Sequence, residues 1–301
     1  MKLSTVEAFK HINTGSTVTL SDKQLLDLQR VLKTILYDIV AVCDENNIVY
    51  TLGGGTCLGA VRHHDFIPWD DDIDINMPRA DYDRFIPLFT KRFEDKYWVH
   101  TPPGNTKGYD LLLSRIRLKG TSVVTREDFA IDEAGAFVDL FVMENTYDNP
   151  VLRNLHGVLC NGFGFLVSCR KFYRDRKPLM ELARETGDKH LMSTFRLKIA
   201  LGFVTAVFSM KAWLRAGDKV NSMCHDGNSK YVVAPTGRKH FWGEMYLRND
   251  ICKTVDVMYD GRALRCPGDT DLYLKNLYGN YMKLPDMNDL EKHVFFAPFS
   301  L

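Results

Sequence analysis

Apolar residues recur at helical spacing along residues 25–44, and they predict one long helix that faces the core. Ser21 stands just before this pattern, where a side chain that caps the helix N-terminus is expected. Asn46 and Asn47 then predict a turn into the apolar run at residues 48–52, which is typical of a buried strand. The pattern therefore predicts a helix that leads directly into a sheet.

Short apolar or alternating runs predict further strands along the rest of the chain. The run at residues 136–143 is apolar except for one aspartate, as expected for a strand in the middle of a sheet. The whole pattern predicts a mixed α/β (α+β) fold. The other predicted strands are 97–101, 111–119, 122–124, 231–233 and 254–258, and the other predicted helices are 78–89 and 271–281.

An acidic group interrupts the apolar pattern after a short helical segment at residues 57–63. It comprises Asp70, Asp71, Asp72 and Asp74. A strand over residues 70–77 would place Asp70, Asp72 and Asp74 on one face and the intervening isoleucines in the core. Carboxylates on one edge repel each other unless a cation lies among them, and hard oxygen ligands suit Mg²⁺ or Mn²⁺. The alternative, a solvated acidic turn, is disfavoured by the apolar residues on both sides.

A glycine-rich turn, residues 53–56, precedes this acidic group. Three glycines often mark only a tight turn. Glycines that lie before a helix start and a metal-binding strand, however, form a phosphate cradle, because bare N–H groups and the helix N-terminus face the anion. The sequence therefore predicts that Gly54, Gly55 and Thr56 bind the phosphates of a donor, with Arg62 adding a cation.

Asp139 is the lone carboxylate of the run at residues 136–143. Burying it costs stability unless a cation or hydrogen bonds compensate, so a partner is expected. An arginine is one candidate. The other is a metal ion shared with the acidic group, and we favour that choice, with Asp72, Asp74 and Asp139 as the ligands and Asp70 and Asp71 as weaker candidates.

Arg115 and Arg117 alternate with Ser114 and Ile116, so both arginines lie on the same face of the predicted strand. They would contact a phosphate if that face lined the site. A solvated strand face explains the same pattern, and the two interpretations stay open at this point.

The charge is sorted along the chain, although the total is nearly balanced at 39 Lys and Arg against 38 Asp and Glu. Residues 151–220 hold 13 Lys or Arg and only 5 Asp or Glu. Within them, residues 154–169 and 199–210 carry no formal charge, and both stretches are too short to span a bilayer. They suit helices that lie on an anionic membrane surface, or a buried helical subdomain with a basic rim.

Composition narrows the class of protein. A nearly neutral chain shows no general footprint for nucleic acid. Seven cysteines without Cys-x-x-Cys spacing indicate reduced core thiols in a cytoplasmic protein. The first residues lack the apolar core of a secretory signal, which agrees with a cytoplasmic location.

Residues 53–85, GGGTCLGAVRHHDFIPWDDDIDINMPRADYDRF, resemble the signature of the LicD family. These are phosphocholine transferases that decorate bacterial surface glycans and are distant relatives of fukutin. The resemblance implies a nucleotidyltransferase-like mixed sheet core flanked by helices, with a third carboxylate on a later strand. It suggests a catalytic core at 1–150, a basic helical insertion at 151–227 and an α/β portion at 228–301 that completes the core. Residues 278–285 resemble the family's closing motif, and His293 follows at family spacing.

The resemblance implies transfer of phosphocholine, or a related phospho-alcohol, from CDP-choline or a similar CDP-alcohol. The acceptor would be a hydroxyl of a cell-surface glycan or its lipid-linked precursor, and CMP would leave. Asp72, Asp74 and Asp139 would be catalytic and bind Mg²⁺ or Mn²⁺, while Arg117 would join the donor-binding residues. Such an enzyme would be peripheral at the inner face of the membrane.

Three other functions are compatible with the sequence. A nucleotidyltransferase would act on an NTP and release pyrophosphate. A catalytically silent protein would bind the nucleotide without turning it over. A nucleic-acid-binding protein would use residues 151–220 and would bind in a strongly salt-dependent way.

Overall fold

A computed structural model describes residues 17–102, 104, 106–285 and 295–301. His293 lies outside the described residues. The first helix, α1 (Asp22–Glu45), confirms the N-terminal prediction. Ser21 caps it through a capping box, in which Ser21 and Gln24 bond each other's backbone N–H groups. Because its apolar stripe is buried against the sheet, α1 forms one wall of the main core.

The main sheet lies beside α1 and holds the predicted central strand in its middle. Its order is β2 (Thr51–Leu52), β3 (Asp74–Pro78), β7 (Phe137–Asn145), β5 (Ser114–Leu118) and β4 (Tyr97–His100). Strands β3 and β7 are parallel, and the other pairs of this path are antiparallel. The mixed sheet flanked by helices confirms the predicted fold class.

Helices α2 (Gly54–His63) and α3 (Arg79–Arg92) flank the edge of the sheet formed by β2 and β3. The predicted start of α3 is confirmed, because Pro78 is its N-cap residue. A second sheet joins β1 (Thr17–Val18), β12 (Phe295–Ser300) and β6 (Ser122–Thr125). The sequence had predicted that β5 and β6 form one strand-turn-strand unit. In the structure they belong to different sheets, because β6 pairs with β12.

Four helices occupy the region of the predicted basic insertion. They are α4 (Pro150–Arg174), α5 (Arg176–Thr186), α6 (Lys189–Thr205) and α7 (Met210–Asn221). A small second core forms where α4, α5 and α6 meet around Phe172 and Phe195, and Phe296 of β12 belongs to it. The uncharged stretch at 199–210 is not one helix, because α6 ends at Thr205 and the chain bends before α7.

Among the described residues, every single helix falls short of the length and apolar content that a membrane span requires. Helices α6 and α7 reach that length and apolar content only when they are counted together, and their axes are bent by 95° at the break between them.

After these helices the chain returns to the main sheet. Strand β8 (Tyr231–Val233) pairs with the end of β7 and with β9 (Met245–Leu247). Helix α8 (His240–Gly243) packs against α4. The hairpin of β10 (Thr254–Tyr259) and β11 (Arg262–Pro267) and helix α10 (Thr270–Tyr278) pack beside α2 and β2. Helix α9 (Arg248–Cys252) lies against β9, β11 and α10.

Candidate active site

The glycine-rich turn is joined to the start of β3 by backbone hydrogen bonds. Gly53 donates its N–H to the carbonyl oxygen of Asp74 (2.9 Å). Asp74 in turn donates its N–H to Oγ1 of Thr56, also at 2.9 Å. Thr56 is buried, so its hydroxyl fastens the turn to the strand. These bonds bring the first residue of β3 against the first turn of α2.

Two glycines make room for two carboxylates at this helix start. A Cβ on Gly54 would lie 2.4 Å from Oδ2 of Asp74, and a Cβ on Gly55 would lie 2.6 Å from Oδ2 of Asp70. Gly54 also has a positive φ of 40°, which disfavours other residues. Both carboxylates therefore lie over the N-terminus of α2, where the helix dipole favours negative charge.

The acidic cluster comprises Asp70, Asp71, Asp72 and Asp74. The first three each place a carboxylate oxygen within 4.8 Å of the others. The prediction that a strand begins at Asp70 is wrong, since β3 begins at Asp74. A turn closed by the bond from Asp70 N–H to the Ile67 carbonyl (2.9 Å) gathers the carboxylates instead. Asp70 and Asp71, which the sequence analysis ranked as weaker candidate ligands, therefore lie together with Asp72.

Asp139 lies beside Asp74, because their Cα positions are register partners in the parallel pair β3 and β7. On its other side Asp139 faces Arg115 of β5. The guanidinium of Arg115 holds both carboxylate oxygens, with Nε to Oδ1 at 2.6 Å and Nη2 to Oδ2 at 3.1 Å. Of the two partners that the sequence left open for Asp139, the structure shows the arginine. The burial of Asp139 therefore does not by itself require a metal ion.

The arginine cluster comprises Arg115, Arg117, Glu127, Asp128 and Asp139. Arg115 also bonds Glu127 at 2.7 Å, and Arg117 bonds Asp128 at 2.6 Å. Burial alone would lower the pKa of Arg115, but its acidic neighbours, led by Asp139, raise it overall. The two guanidinium groups lie 4.1 and 4.8 Å from the ring centroid of Phe137. The arginines share a face as predicted, but that face is buried, so the solvated interpretation is wrong.

Arg117, which was predicted to bind a phosphate of the donor, is also enclosed in this arginine cluster. Its side chain is fully buried, and it donates to Asp128 and to the carbonyl oxygen of Gly135 (3.1 Å). Burial lowers its pKa, and Asp128 opposes that effect. Arg117 is therefore part of the buried wall behind Asp139, and Asp128 and Gly135 belong to the same wall.

Arg62 lies at the rim of the acidic cluster. It donates Nη1 to the carbonyl oxygen of Tyr281 at 2.8 Å, and its guanidinium is 6.0 Å from the ring of Trp69. Burial lowers its pKa, while the charge of Asp70 acts in the opposite direction. The structure thus brings Arg62 together with the glycine turn and the acidic cluster.

Two tyrosines of α10 complete the site, and the sequence analysis assigned neither to it. Tyr273 accepts the N–H of Gly54 (2.9 Å) and Nδ2 of Asn76 (3.1 Å) on its phenol oxygen. Burial, and then the charges of Asp74 and Asp70, raise the pKa of Tyr278 well above its usual value. No signal in the sequence distinguishes Tyr273 from an ordinary core residue on an apolar helix face. Tyr278 could have been found, because it begins the motif at residues 278–285.

The residues of the acidic cluster fit a divalent metal ion. Carboxylate oxygens are the ligands that Mg²⁺ and Mn²⁺ prefer, and three of these groups already lie within 4.8 Å of one another. The glycine positions hold Asp70 and Asp74 on the same side, at the helix N-terminus. An anionic substrate that approached this helix start would be repelled by the carboxylates unless a cation lay between them.

Known proteins match both the site and the chain as a whole. Residues 47–147 match the LicD/FKTN/FKRP nucleotidyltransferase domain. The chain is 27% identical over 281 residues to the lipopolysaccharide cholinephosphotransferase LicD of Haemophilus influenzae. This alignment covers 92% of this chain and 96% of that protein. A 48-residue stretch is 42% identical to the human ribitol 5-phosphate transferase FKRP, covering 16% of this chain and 10% of that protein. Residues 47–147 are thus similar to the domain of the LicD family, and the glycine turn, the acidic cluster and the central strand all lie within them.

Proposed function

We propose that this protein transfers phosphocholine, or a related phospho-alcohol, from a CDP-linked donor to a glycan hydroxyl and releases CMP. The acceptor would be a cell-surface glycan or its lipid-linked precursor. Similarity to proteins named as a cholinephosphotransferase and a ribitol 5-phosphate transferase supports transfer of this general kind. The CDP-linked donor is proposed from the resemblance to the LicD family, and the glycan acceptor from the lipopolysaccharide in the name of one of these relatives.

One observation carries the proposal: Gly54 and Gly55 allow carboxylates to lie over the helix N-terminus. A helix N-terminus favours a phosphate, yet the acidic cluster repels one. The helix N-terminus and the acidic cluster can both serve a phosphate site if Asp70, Asp72 and Asp74 hold Mg²⁺ or Mn²⁺ beside the donor. The bound ion would neutralise the donor diphosphate and the charge that develops on the departing CMP.

The other residues have distinct proposed roles. Because the Gly54 N–H is bonded to Tyr273, the N–H groups of Gly55 and Thr56 are the ones we assign to the donor phosphates. Arg62, at the rim, would contact the same phosphates. Asp139 stays a proposed catalytic residue, and its bidentate bond with Arg115 favours an orienting or ligand role over proton abstraction.

The test is a product assay with a panel of CDP-alcohols. The purified protein is incubated with Mg²⁺, a glycan acceptor and CDP-choline, CDP-ribitol or CDP-glycerol in turn, and CMP is measured. We expect one donor to yield CMP, and we expect EDTA to abolish the signal. Absence of CMP with every donor and acceptor would contradict the proposal.

A nucleotidyltransferase is the second candidate, because the matched domain carries that name. The same acidic cluster would bind the metal in either reaction. Release of pyrophosphate from an NTP, with no CMP from any CDP-alcohol, would establish the second candidate instead. Metal-dependent binding of CDP-choline without any turnover would identify a catalytically silent protein.

A further inference from the structure

Helices α6 and α7 meet at a sharply bent, apolar elbow, residues 203–211. The exposed side chains of Phe203, Val204, Val207 and Phe208 retain 66%, 69%, 82% and 61% of their accessible surface. Four large apolar residues within six positions form a contiguous patch, unlike the scattered apolar residues that are normal on protein surfaces.

The elbow is held in place by its own contacts. Trp213 donates its indole N–H to the carbonyl oxygen of Thr205 (2.9 Å), and its ring lies 6.0 Å from that of Phe208. Phe203 packs edge-on against Tyr173 of α4 at 5.7 Å. Gly202 lets α6 cross α4 closely, because a Cβ there would lie 2.1 Å from the Cys169 carbonyl oxygen. The fold therefore fixes these apolar side chains in an exposed position.

Charged residues around the elbow are cations. From Arg196 to Gly217 the sequence contains no aspartate or glutamate. Arg196, Lys211 and Arg215 are exposed, and Arg170 donates Nε to the Phe208 carbonyl oxygen (3.5 Å). An apolar tip surrounded by cations complements the anionic surface of a lipid bilayer. A second copy of this chain fits less well, because symmetric contact of two elbows would bring the cations together.

We propose that the elbow docks the protein on an anionic bilayer. The four apolar side chains enter the boundary between headgroups and acyl chains, and the surrounding cations contact lipid phosphates. This inference goes beyond the proposed transferase activity and does not depend on it. It also revises the expectation from the sequence, because the bend presents a tip to the membrane where a flat helix was expected.

Vesicle sedimentation tests the proposal without any substrate. We expect the full chain to sediment with vesicles of phosphatidylcholine and phosphatidylglycerol and to stay in solution with phosphatidylcholine alone. The double variant Phe203→Ser and Phe208→Ser should bind about 100-fold more weakly, because it removes two aromatic groups from the interface. Lys211→Glu with Arg215→Glu should weaken binding by about tenfold or more.

A matched control uses a different exposed apolar face. Val151 and Leu155, which are 74% and 53% exposed, lie in the first turns of α4. Val151 is about 28 Å and Leu155 about 22 Å along that continuous helix from Arg170, which contacts the elbow. Val151→Ser with Leu155→Ser should leave vesicle binding unchanged. Circular dichroism should show native helix content in every variant, so that a loss of binding reports on the surface.

Trp213 gives an independent signal of insertion. Its fluorescence emission should shift to shorter wavelength with anionic vesicles, the shift should disappear in Trp213→Phe, and it should be absent in the Phe203 and Phe208 double variant.

Four results would overturn the proposal. Two of them concern vesicle binding: the wild type does not bind, or the elbow variant binds as well as the wild type. The third is resistance of the bound protein to alkaline carbonate extraction, which would indicate a helix pair that spans the membrane. The fourth is a dimer of the wild type that only the elbow variants disrupt, which would indicate that the elbow binds a second copy of the chain.

Discussion

Asp74 and Asp139 are neighbours in the same parallel strand pair, yet they belong to two very different groups. Asp74 joins the acidic cluster, because its carboxylate lies against Gly54 and that of Asp70 lies against the adjacent Gly55 at a helix N-terminus. Asp139 joins the arginine cluster, where Arg115 holds both of its oxygens in a buried wall. One strand register thus places a group of carboxylates next to a group of ion pairs.

The difference indicates what each group is for. Removing one partner of a buried ion pair is strongly destabilising, because the other partner is left as a buried charge without compensation. Gathered carboxylates repel each other, so they lower the stability of the metal-free protein and gain from a bound cation. We therefore expect substitutions in the acidic cluster to affect activity, and substitutions in the arginine cluster to affect folding.

The largest effect is expected for Asp72→Asn or Asp74→Asn. Each removes a proposed metal ligand, and transfer should fall by about 10⁴-fold, or about 5 kcal/mol of transition-state stabilisation. The melting temperature should stay equal or rise, because one repelling charge is gone. CMP release and thermal denaturation measure the two quantities.

Asp81→Asn provides the matched control, because this acid pairs with Arg84 on α3, outside the cluster. It should leave transfer unchanged. Retained activity in the two cluster variants, or their failure to fold, would break the comparison.

The next largest effect is expected for Arg115→Met. It leaves the buried Asp139 and the partly exposed Glu127 without their guanidinium, which should lower the free energy of unfolding by about 3 to 5 kcal/mol. Adding Asp139→Asn should recover part of that loss, because one of the uncompensated charges disappears. Urea denaturation of the single and double variants measures this coupling.

The exposed pair of Arg84 with Asp81 serves as the control, and Arg84→Met should cost less than about 1 kcal/mol. Equal losses in Arg84→Met and Arg115→Met would show that the arginine cluster is not a special support of the fold.

Glu244 is a buried carboxylate outside both clusters, and we expect it to make the free energy of unfolding depend on pH. Glu244 accepts the backbone N–H of Lys239 at 2.8 Å, and burial raises its pKa from 4.5 to about 7. The native state therefore holds a proton that the unfolded state releases. This contribution is complete below pH 4.5 and is lost as the pH rises through 7, by about 3 kcal/mol.

Glu244→Gln should remove this part of the pH dependence. Chemical denaturation from pH 4.5 to 8 measures it in both proteins. An unchanged slope of unfolding free energy against pH in the variant would show that another group is responsible.

The smallest effect concerns the glycines that accommodate the acidic cluster. A Cβ at position 55 would displace the Asp70 carboxylate, so Gly55→Ala should reduce transfer by about 30-fold with little change in stability. Gly162, in α4, serves as the control, because a Cβ at that position would meet only open space. Gly162→Ala should leave transfer unchanged and add up to about 1 kcal/mol of stability. Equal activity of both variants would mean that the close approach of Gly55 to Asp70 is not needed.

Several elements could be predicted from the sequence because their causes are local. The cap at Ser21 and the apolar spacing after it predict α1, and the apolar run around Asp139 predicts the central strand. The glycine turn and the acidic residues lie within one short stretch, so their proximity could also be predicted. Their arrangement could not, because a turn at Ile67 and not strand alternation brings the carboxylates together.

By itself, the sequence determined the mixed α/β class, the family motif and the residues near which chemistry is expected. Only the tertiary structure decided that Arg115 pairs with Asp139, that Arg117 is buried against Asp128, and that Tyr273 supports Gly54 from a distant helix. The physical reason is the range of the interactions. Periodicity and caps act within a few residues, whereas the partner of a buried charge depends on strand order and on which faces are removed from water.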